Sequence, residues 1–392
     1  MIAKKFKISA PGSMILLGEN RMMYDKHVVT ASLDLRTTVE FCELSTSRKI
    51  IEIEFPDVNL SLNLSLDLVL NFFFADRHFY PMTDHILLLR HVQYFITSNG
   101  MWSTCEQKFS LQTFLFLLLY IAHNEEIDII PFRVHLTTEL PMKASLGSST
   151  SFATCLAGCF LHWARLQKGA HYIFNEKELS DISRYVEYCE EVVQNYTFGV
   201  SHEVCTYGQI VTFQYDIQKG FNIRLLKVPK LNILLIDSKM RPNKYLQKEI
   251  MARVYSSGTD ILDRLDLISR KVSYCLAQID EIQRNNDLHK LKDIYEFLFF
   301  LILLDQFYLV KKIGLSHPNL NRIYSIAYIY GLAGKLTGCG EYVYILLTPA
   351  PKKGFIAKIT EHLMKEGFPS IMITIYSATE NRQNYMVWNC IK

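Results

Sequence analysis

Residues 139–158 read ELPMKASLGSSTSFATCLAG, and this stretch decides how the chain is organised. Just upstream, FRVHLTTEL alternates Phe132, Val134 and Leu136, the pattern of a strand buried on one face. Downstream, apolar residues recur at Phe152, Cys155, Leu156, Cys159, Phe160 and Trp163, in steps of three and four that mark one face of a helix. Gly147, Ser148 and Ser149 lie between, so the order is strand, tight turn, helix. Free amides and the positive end of the dipole at a helix start attract phosphate, and a hydroxyl there can reach a metal ion. The same residues also make an ordinary Ser/Thr N-cap. Neither a Walker A loop nor a GxGxxG fingerprint is present to choose between the two.

Outward from the turn, FKISAPGSMILLGEN and HVVTASLDLRTTVEF are apolar and β-branched, and IIEIEFPD followed by VNLSLNLSLDL alternates residue by residue, so the first part reads as β-rich. HILLLRHVQYFI and LQTFLFLLLYIA predict two buried helices within residues 85–122. KELSDISRYVEYCEEVVQ predicts a helix with Ile182, Val186, Cys189 and Val193 on its buried stripe and Glu190 beside it. QIVTFQYD and FNIRLLKV read as a hairpin, and LNILLIDS as a buried strand that opens a second domain. Beyond it, Ile261, Leu265, Ile268, Val272, Cys275 and Ile279 keep helical spacing, further helices follow, and YVYILLT and IMITIY read as strands around a helix near 353–366. Helices on antiparallel strands in both halves give an α+β class, with domains at 1–228 and 229–392.

The 392 residues exceed one ordinary core, and 49% apolar content is ample for two. A net charge of +3 leaves no excess to neutralise a nucleic acid backbone, so nucleic acid is excluded as a partner class. The nine cysteines are scattered without a CxxC pair, which fits reduced thiols in a cytoplasmic protein. Cys155 and Cys159, one helical turn apart, lack further ligands and read as core. No cleavable leader is read in the first residues. FLFLLLYIA and FLFFLILLDQFYLV are too short to span a bilayer, and Asp305 interrupts the second, so both read as buried helices of a soluble protein.

Three more stretches change the weight given to the turn. APGSMILLGEN at 10–20, SLDLRTTVE at 32–40 and KLTGCG at 335–340, in that order around LPMKASLGSST, resemble the small-molecule kinases that include galactokinase, homoserine kinase, mevalonate kinase and phosphomevalonate kinase, the GHMP superfamily. Within it, SLDLRT, TELPMKASLGSSTSFATCLAG, GLSHPNLNRIYSIAYIYGLAGKLTGCG and the spacing from Glu190 to GVSHEV look most like mevalonate kinases. The resemblance spans about residues 8–376 and is weakest between 41 and 128.

It implies a two-domain fold, a ribosomal-protein-S5-like N-terminal domain and a ferredoxin-like C-terminal domain. ATP and Mg²⁺ would share a cleft with an alcohol, mevalonate, whose 5-hydroxyl takes the γ-phosphate for isoprenoid synthesis. Leu146, Gly147, Ser148, Ser149 and Thr150, with Gly338 and Gly340 of the late loop, match the nucleotide loops. Ser149 and Glu190 match the metal contacts, and Glu19 and Asn20 the substrate side. No membrane is implied, and a homodimer is one assembly the resemblance allows. Arg36 in DLRT fits a structural ion pair as well as a role in the site.

The chain departs from this family where the chemistry lies. Ser13 stands at the position of a lysine directed at the transferred phosphate, and Ser201 at that of the aspartate that takes the hydroxyl proton. Loss of such a base costs roughly 10²–10⁴ in rate. Lys143 and Ser145 replace glycines of the phosphate loop, Asn20 replaces a histidine, and Glu341 and Tyr342 follow Gly340 where further glycines are expected. Two readings stay open, a phosphotransferase with substitute groups or an impaired, binding-only relative. The substitutes would be Lys143 for the missing cation, and His202 or Glu203 for the base.

Overall fold

The computed structural model describes residues 3–19, 25–74, 84–195, 200–216, 220–241, 244–256, 258, 260–349 and 351–375. Strands β1 (Lys5–Leu17) and β2 (Val28–Glu43) pair antiparallel, with Phe6 opposite Phe41 and Ser13 opposite Ser32. Their register shifts between Pro11 and Ser13, placing an irregularity at APGS. A Cβ on Gly12 would lie 2.5 Å from Leu140 Cδ2 and 2.7 Å from the Leu146 carbonyl, so only glycine lets the 140–147 turn come this close.

The 16-residue β2 is the axis of the sheet. One half pairs with β5 (Phe132–Thr138), through β3 (Ile50–Phe55), to β4 (Leu60–Ser65) at the edge. The β3–β5 pair is parallel, where antiparallel strands were expected throughout. The other half pairs with β6 (Ile210–Asp216), which forms the expected hairpin with β7 (Gly220–Leu226). Ile375 opposite Leu33 joins β11 (Ser370–Ile375) to β2, and β11 leads to β8 (Leu231–Asp237), β10 (Tyr342–Leu346) and β9 (Gly334–Thr337).

Among the described residues of the first half are α1 (Leu66–Phe74), α2 (His85–Ser98), α3 (Cys105–Glu125), α4 (Ser148–Lys168), α5 (Glu176–Gln194) and α6 (Ser201–Tyr207). A reciprocal capping box between Asn175 and Glu178 fixes where α5 begins. Among the described residues of the second half are α7 (Lys244–Ser256), α8 (Asp260–Arg284), α9 (Leu288–Phe307), a π turn at Tyr308–Ile313, α10 (Pro318–Ile329) and α11 (Lys353–Lys365).

Two cores result. Phe6, Phe41, Phe132 and Trp163 pack between the first sheet half and α3, α4 and α5, and Cys155 and Cys159 are fully buried there. The second joins Ile233, Leu235 and Ile236 of β8 to Leu265, Ile268 and Val272 of α8. It also takes in Met14 and Leu16 of β1, Leu33 of β2, and Leu140, Ala144 and Leu146 of the turn, so core membership crosses residue 228. The turn is thereby held from both sides.

The apolar run of α9 is buried on one face only, because Phe297, Phe300 and Phe307 are exposed while Leu298, Leu301 and Asp305 are buried. No helix among the described residues is long and apolar enough to cross a membrane.

Candidate active site

The 140–147 turn ends at Gly147, the N-cap of α4, with φ 70° and no side chain capping the helix. Ser148 is the first helical residue, so the ordinary Ser/Thr N-cap is not what the structure contains. The first amides of α4 keep the dipole and donors that suit an anion. Lys143 (φ 59°) and Ser145 (φ 54°) retain the left-handed backbone that glycine occupies freely, each at a cost of about 1 kcal/mol.

Ser13 packs on this turn. Its amide donates to the Leu146 carbonyl at 3.0 Å, and a Cβ on Gly147 would fall 2.3 Å from its hydroxyl oxygen. From the other side, the Ser13 hydroxyl meets the Cys205 thiol of α6, whose ionisation burial pushes far up. The Ser13 side chain is therefore short, buried and committed to packing.

The late glycine loop closes on the same turn. Gly338 (φ 63°) lies so near Ser145 that an added Cβ would come within 2.2 Å of the serine Cβ. Ser145 Oγ donates to Glu341 Oε1 at 2.9 Å, and the Cys339 amide donates to Glu341 Oε2 at 2.8 Å. The Glu341 carboxylate thus sits between the two loops, 4% exposed. Gly340 (φ 93°) instead faces Met240 and Leu320. Tyr342 is the first residue of β10, opposite Thr337 and Asp237, and packs on the second core rather than between the loops.

At the start of α4, the Thr150 hydroxyl donates to Glu190 Oε1, while Ser149 Oγ donates to Gln194 Oε1 at 3.2 Å. Gln194 Nε2 reaches back to Glu190 Oε1 at 3.5 Å, so Ser149 and Glu190 are joined through Gln194 rather than directly. Burial pushes the Glu190 carboxyl up to about 7, against the hydrogen bonds from Thr150 and Gln194. A carboxylate and a hydroxyl are hard oxygen donors suited to Mg²⁺, and a cation beside Glu190 would keep it ionised. The donor set fits. Two side chains leave the remaining positions to phosphate and water, in keeping with the absence of any three-residue His/Cys/Asp/Glu cluster among the described residues.

Ser201 is the first residue of α6. His202 Nδ1 lies 3.9 Å from Glu190 Oε2, and burial lowers the imidazole to about 4. Glu203 turns to α5, accepting from Ser183 Oγ at 3.2 Å. Of the two proposed bases, His202 is the one beside Glu190. Lys143 Nζ lies 2.5 Å from Glu106 Oε1 at the start of α3 and is largely exposed. Arg36 gives its guanidinium to Ser9 Oγ and Ser9 O and its backbone amide to Glu139, a structural role.

Glu19 is buried at the end of β1 against Lys335 of β9, with Nζ 2.5 Å from Oε2, and Lys335 is also 3.7 Å from Asp305. Asp305, which reads in the sequence as an interruption of an apolar run, neutralises this buried cation. Asn20 and Gly199 lie outside the described residues.

An apolar pocket opens next to Ser148 and Ser149, walled by Phe55, Val58, Phe109, Met142 and Phe152, with Asp57 and Ser110 at its edge. Asp57 also accepts from the Thr138 amide at 2.9 Å. Of this lining the sequence assigned only Ser148 and Ser149, because the walls come from separate segments, and Phe55, Val58 and Phe109 fall in the stretch where the resemblance is weakest.

No family model matches the chain. It is 26% identical to the mevalonate kinase of Dictyostelium discoideum over 389 residues, covering 94% of both chains, and 26% identical to that of Bos taurus over 352 residues, 87% of this chain and 85% of that one. Its backbone is similar to the crystal structure of the Methanococcus jannaschii mevalonate kinase, with TM-score 0.67 at 18% identity over 95% of this chain and 98% of the other. The Streptococcus pneumoniae phosphomevalonate kinase follows at TM-score 0.60 and 11% identity, covering 95% and all of the respective chains.

The fold is that of the GHMP kinases. In this GHMP fold the two loops named in the sequence, 140–147 and 338–341, meet face to face. Glu341 between the loops and Gln194 beside Ser149 both escape sequence reading as partners, since their contacts reach 196 and 45 residues along the chain.

Proposed function

We propose that this chain is an ATP- and Mg²⁺-dependent phosphotransferase of the cytoplasm that moves the γ-phosphate of ATP to the 5-hydroxyl of mevalonate. The observation that carries this reading is the uncapped start of α4 at Gly147, facing the 338–341 loop, in a chain aligned with mevalonate kinases along nearly its whole length. The amides of Ser148, Ser149 and Thr150 would hold the phosphates, and the apolar pocket beside them would take the base of the nucleotide.

Ser149 and Glu190 would hold Mg²⁺, which supplies charge neutralisation on the transferring group. Gln194 orients both side chains through its amide. In a loose transition state most of the rate comes from position and electrostatics, so the missing lysine and aspartate slow transfer rather than forbid it. His202, uncharged at neutral pH and next to Glu190, is placed to accept the hydroxyl proton.

The test is ADP release by purified protein with ATP, Mg²⁺ and one acceptor at a time: mevalonate, phosphomevalonate, homoserine or galactose. The reading expects release with mevalonate, lost in Glu190→Gln. Release with another acceptor would reassign the substrate. Nucleotide binding without release from any acceptor would favour the impaired relative.

A further inference from the structure

Among the described residues, the Glu341 carboxylate is the acidic group inside the meeting point of the two loops. We propose that the Glu341 carboxylate is an internal competitor for the phosphate cradle, a latch that nucleotide must displace before it can bind. The inference rests on the nucleotide-site reading given above and concerns how that site is controlled.

Both carboxylate oxygens are used, one on each loop. Oε1 accepts from the Ser145 hydroxyl of the phosphate turn and Oε2 from the Cys339 amide of the late loop. Hydrogen bonds to an ionised acceptor are the strong kind, and donors of this type are the ones a phosphate oxygen would use. The carboxylate therefore does what a phosphate would do, and brings the two loops together as a bound phosphate would.

The backbone beneath it is pinned. Ser238, fully buried, donates its amide to the Glu341 carbonyl at 3.0 Å and its hydroxyl to the same oxygen at 2.9 Å, and Asn319 Nδ2 holds the Ser238 carbonyl at 2.8 Å. Opening the latch is a rotation of the Glu341 side chain, not a movement of the strand. Until it rotates, a triphosphate meets a buried negative charge and loses two donors, so apparent affinity falls by the fraction of molecules in which the latch is open.

The experiment is calorimetric titration of MgATP into the wild-type chain, Glu341→Gln and Glu341→Gly, each first checked by thermal unfolding. The glutamine keeps the shape without the charge, and carries the test should the glycine variant fail to fold. Roughly tenfold tighter binding in the glycine variant, with the glutamine between, is the expected result. Equal or weaker binding in the variants overturns the latch while leaving the nucleotide site intact. No binding by any of the three proteins overturns the nucleotide reading, and the latch falls with it.

Discussion

Lys335 Nζ lies 2.5 Å from Glu19 Oε2, and neither side chain is more than 1% exposed. The pair ties the end of β1 to β9 across 316 residues. Thr337 Oγ1 to the Ile15 carbonyl and Tyr344 OH to the Leu16 carbonyl fasten the same seam. Glu19, matched by resemblance to the substrate side, is thus engaged by a lysine. With Asp305 also 3.7 Å from that lysine, three buried charges sit together.

Removing one partner leaves the others buried and uncompensated. Lys335→Met is expected to destabilise the chain by about 3–5 kcal/mol, and Glu19→Gln by less, since Asp305 still faces the ammonium. Urea unfolding of both variants measures this. A loss below 1 kcal/mol for Lys335→Met would contradict the account of the seam.

Lys143 is paired with Glu106 on the surface. Lys143→Ala is expected to change MgATP affinity less than threefold and to leave stability nearly unchanged. Lys143→Gly, which suits the φ of 59°, should stabilise by about 1 kcal/mol. A tenfold loss of affinity in the alanine variant would show that the ammonium leaves Glu106 for the phosphates.

His202 and Glu203 are adjacent in sequence but face different elements. His202→Ala is expected to lower kcat by roughly 10²-fold, with little change in KM for ATP, whereas Glu203→Ala should lower stability more than kcat, because its partner is Ser183. Steady-state kinetics with thermal unfolding of both variants separates the two. Equal kcat effects would remove His202 from the proton's path.

His162 is fully buried in the first core, with Nδ1 2.6 Å from His171 Nδ1, and burial followed by the neighbouring imidazole lowers it to about 3. The unfolded imidazole binds a proton near its ordinary 6.5, so stability is full above that pH and is lost as pH falls toward about 3. At pH 5 the loss is about 2 kcal/mol. Urea midpoints at pH 7 and pH 5 should therefore differ in the wild-type chain and differ less in His162→Leu, the remainder coming from other buried groups such as His202, which burial lowers to about 4.

What was legible in the sequence follows from which forces are local. The helices α4, α5 and α8 carry their buried stripes at steady spacing; α4 begins right after Gly147, and α5 begins one residue before the KELSDISRYVEYCEEVVQ stretch. Helix α1 was read as strand because Leu64, Leu66, Leu68 and Leu70 continue the alternation of β4 past the point where the backbone turns helical. Strand β9 is four residues, too short for a period, and is held by β10 rather than by its own pattern. In the site, the two loops were visible as motifs. The Ser145–Glu341 and Lys335–Asp305 contacts were not, since no local pattern says which carboxylate a distant hydroxyl or ammonium will meet.

The most direct measurement of the central claim is phosphorus NMR of purified protein with ATP, Mg²⁺ and mevalonate, run beside Glu190→Gln. The account predicts a phosphomonoester signal that grows with time, requires mevalonate and Mg²⁺, and is absent from the variant. An unchanged ATP spectrum from the wild-type chain and from Glu341→Gly alike would contradict it.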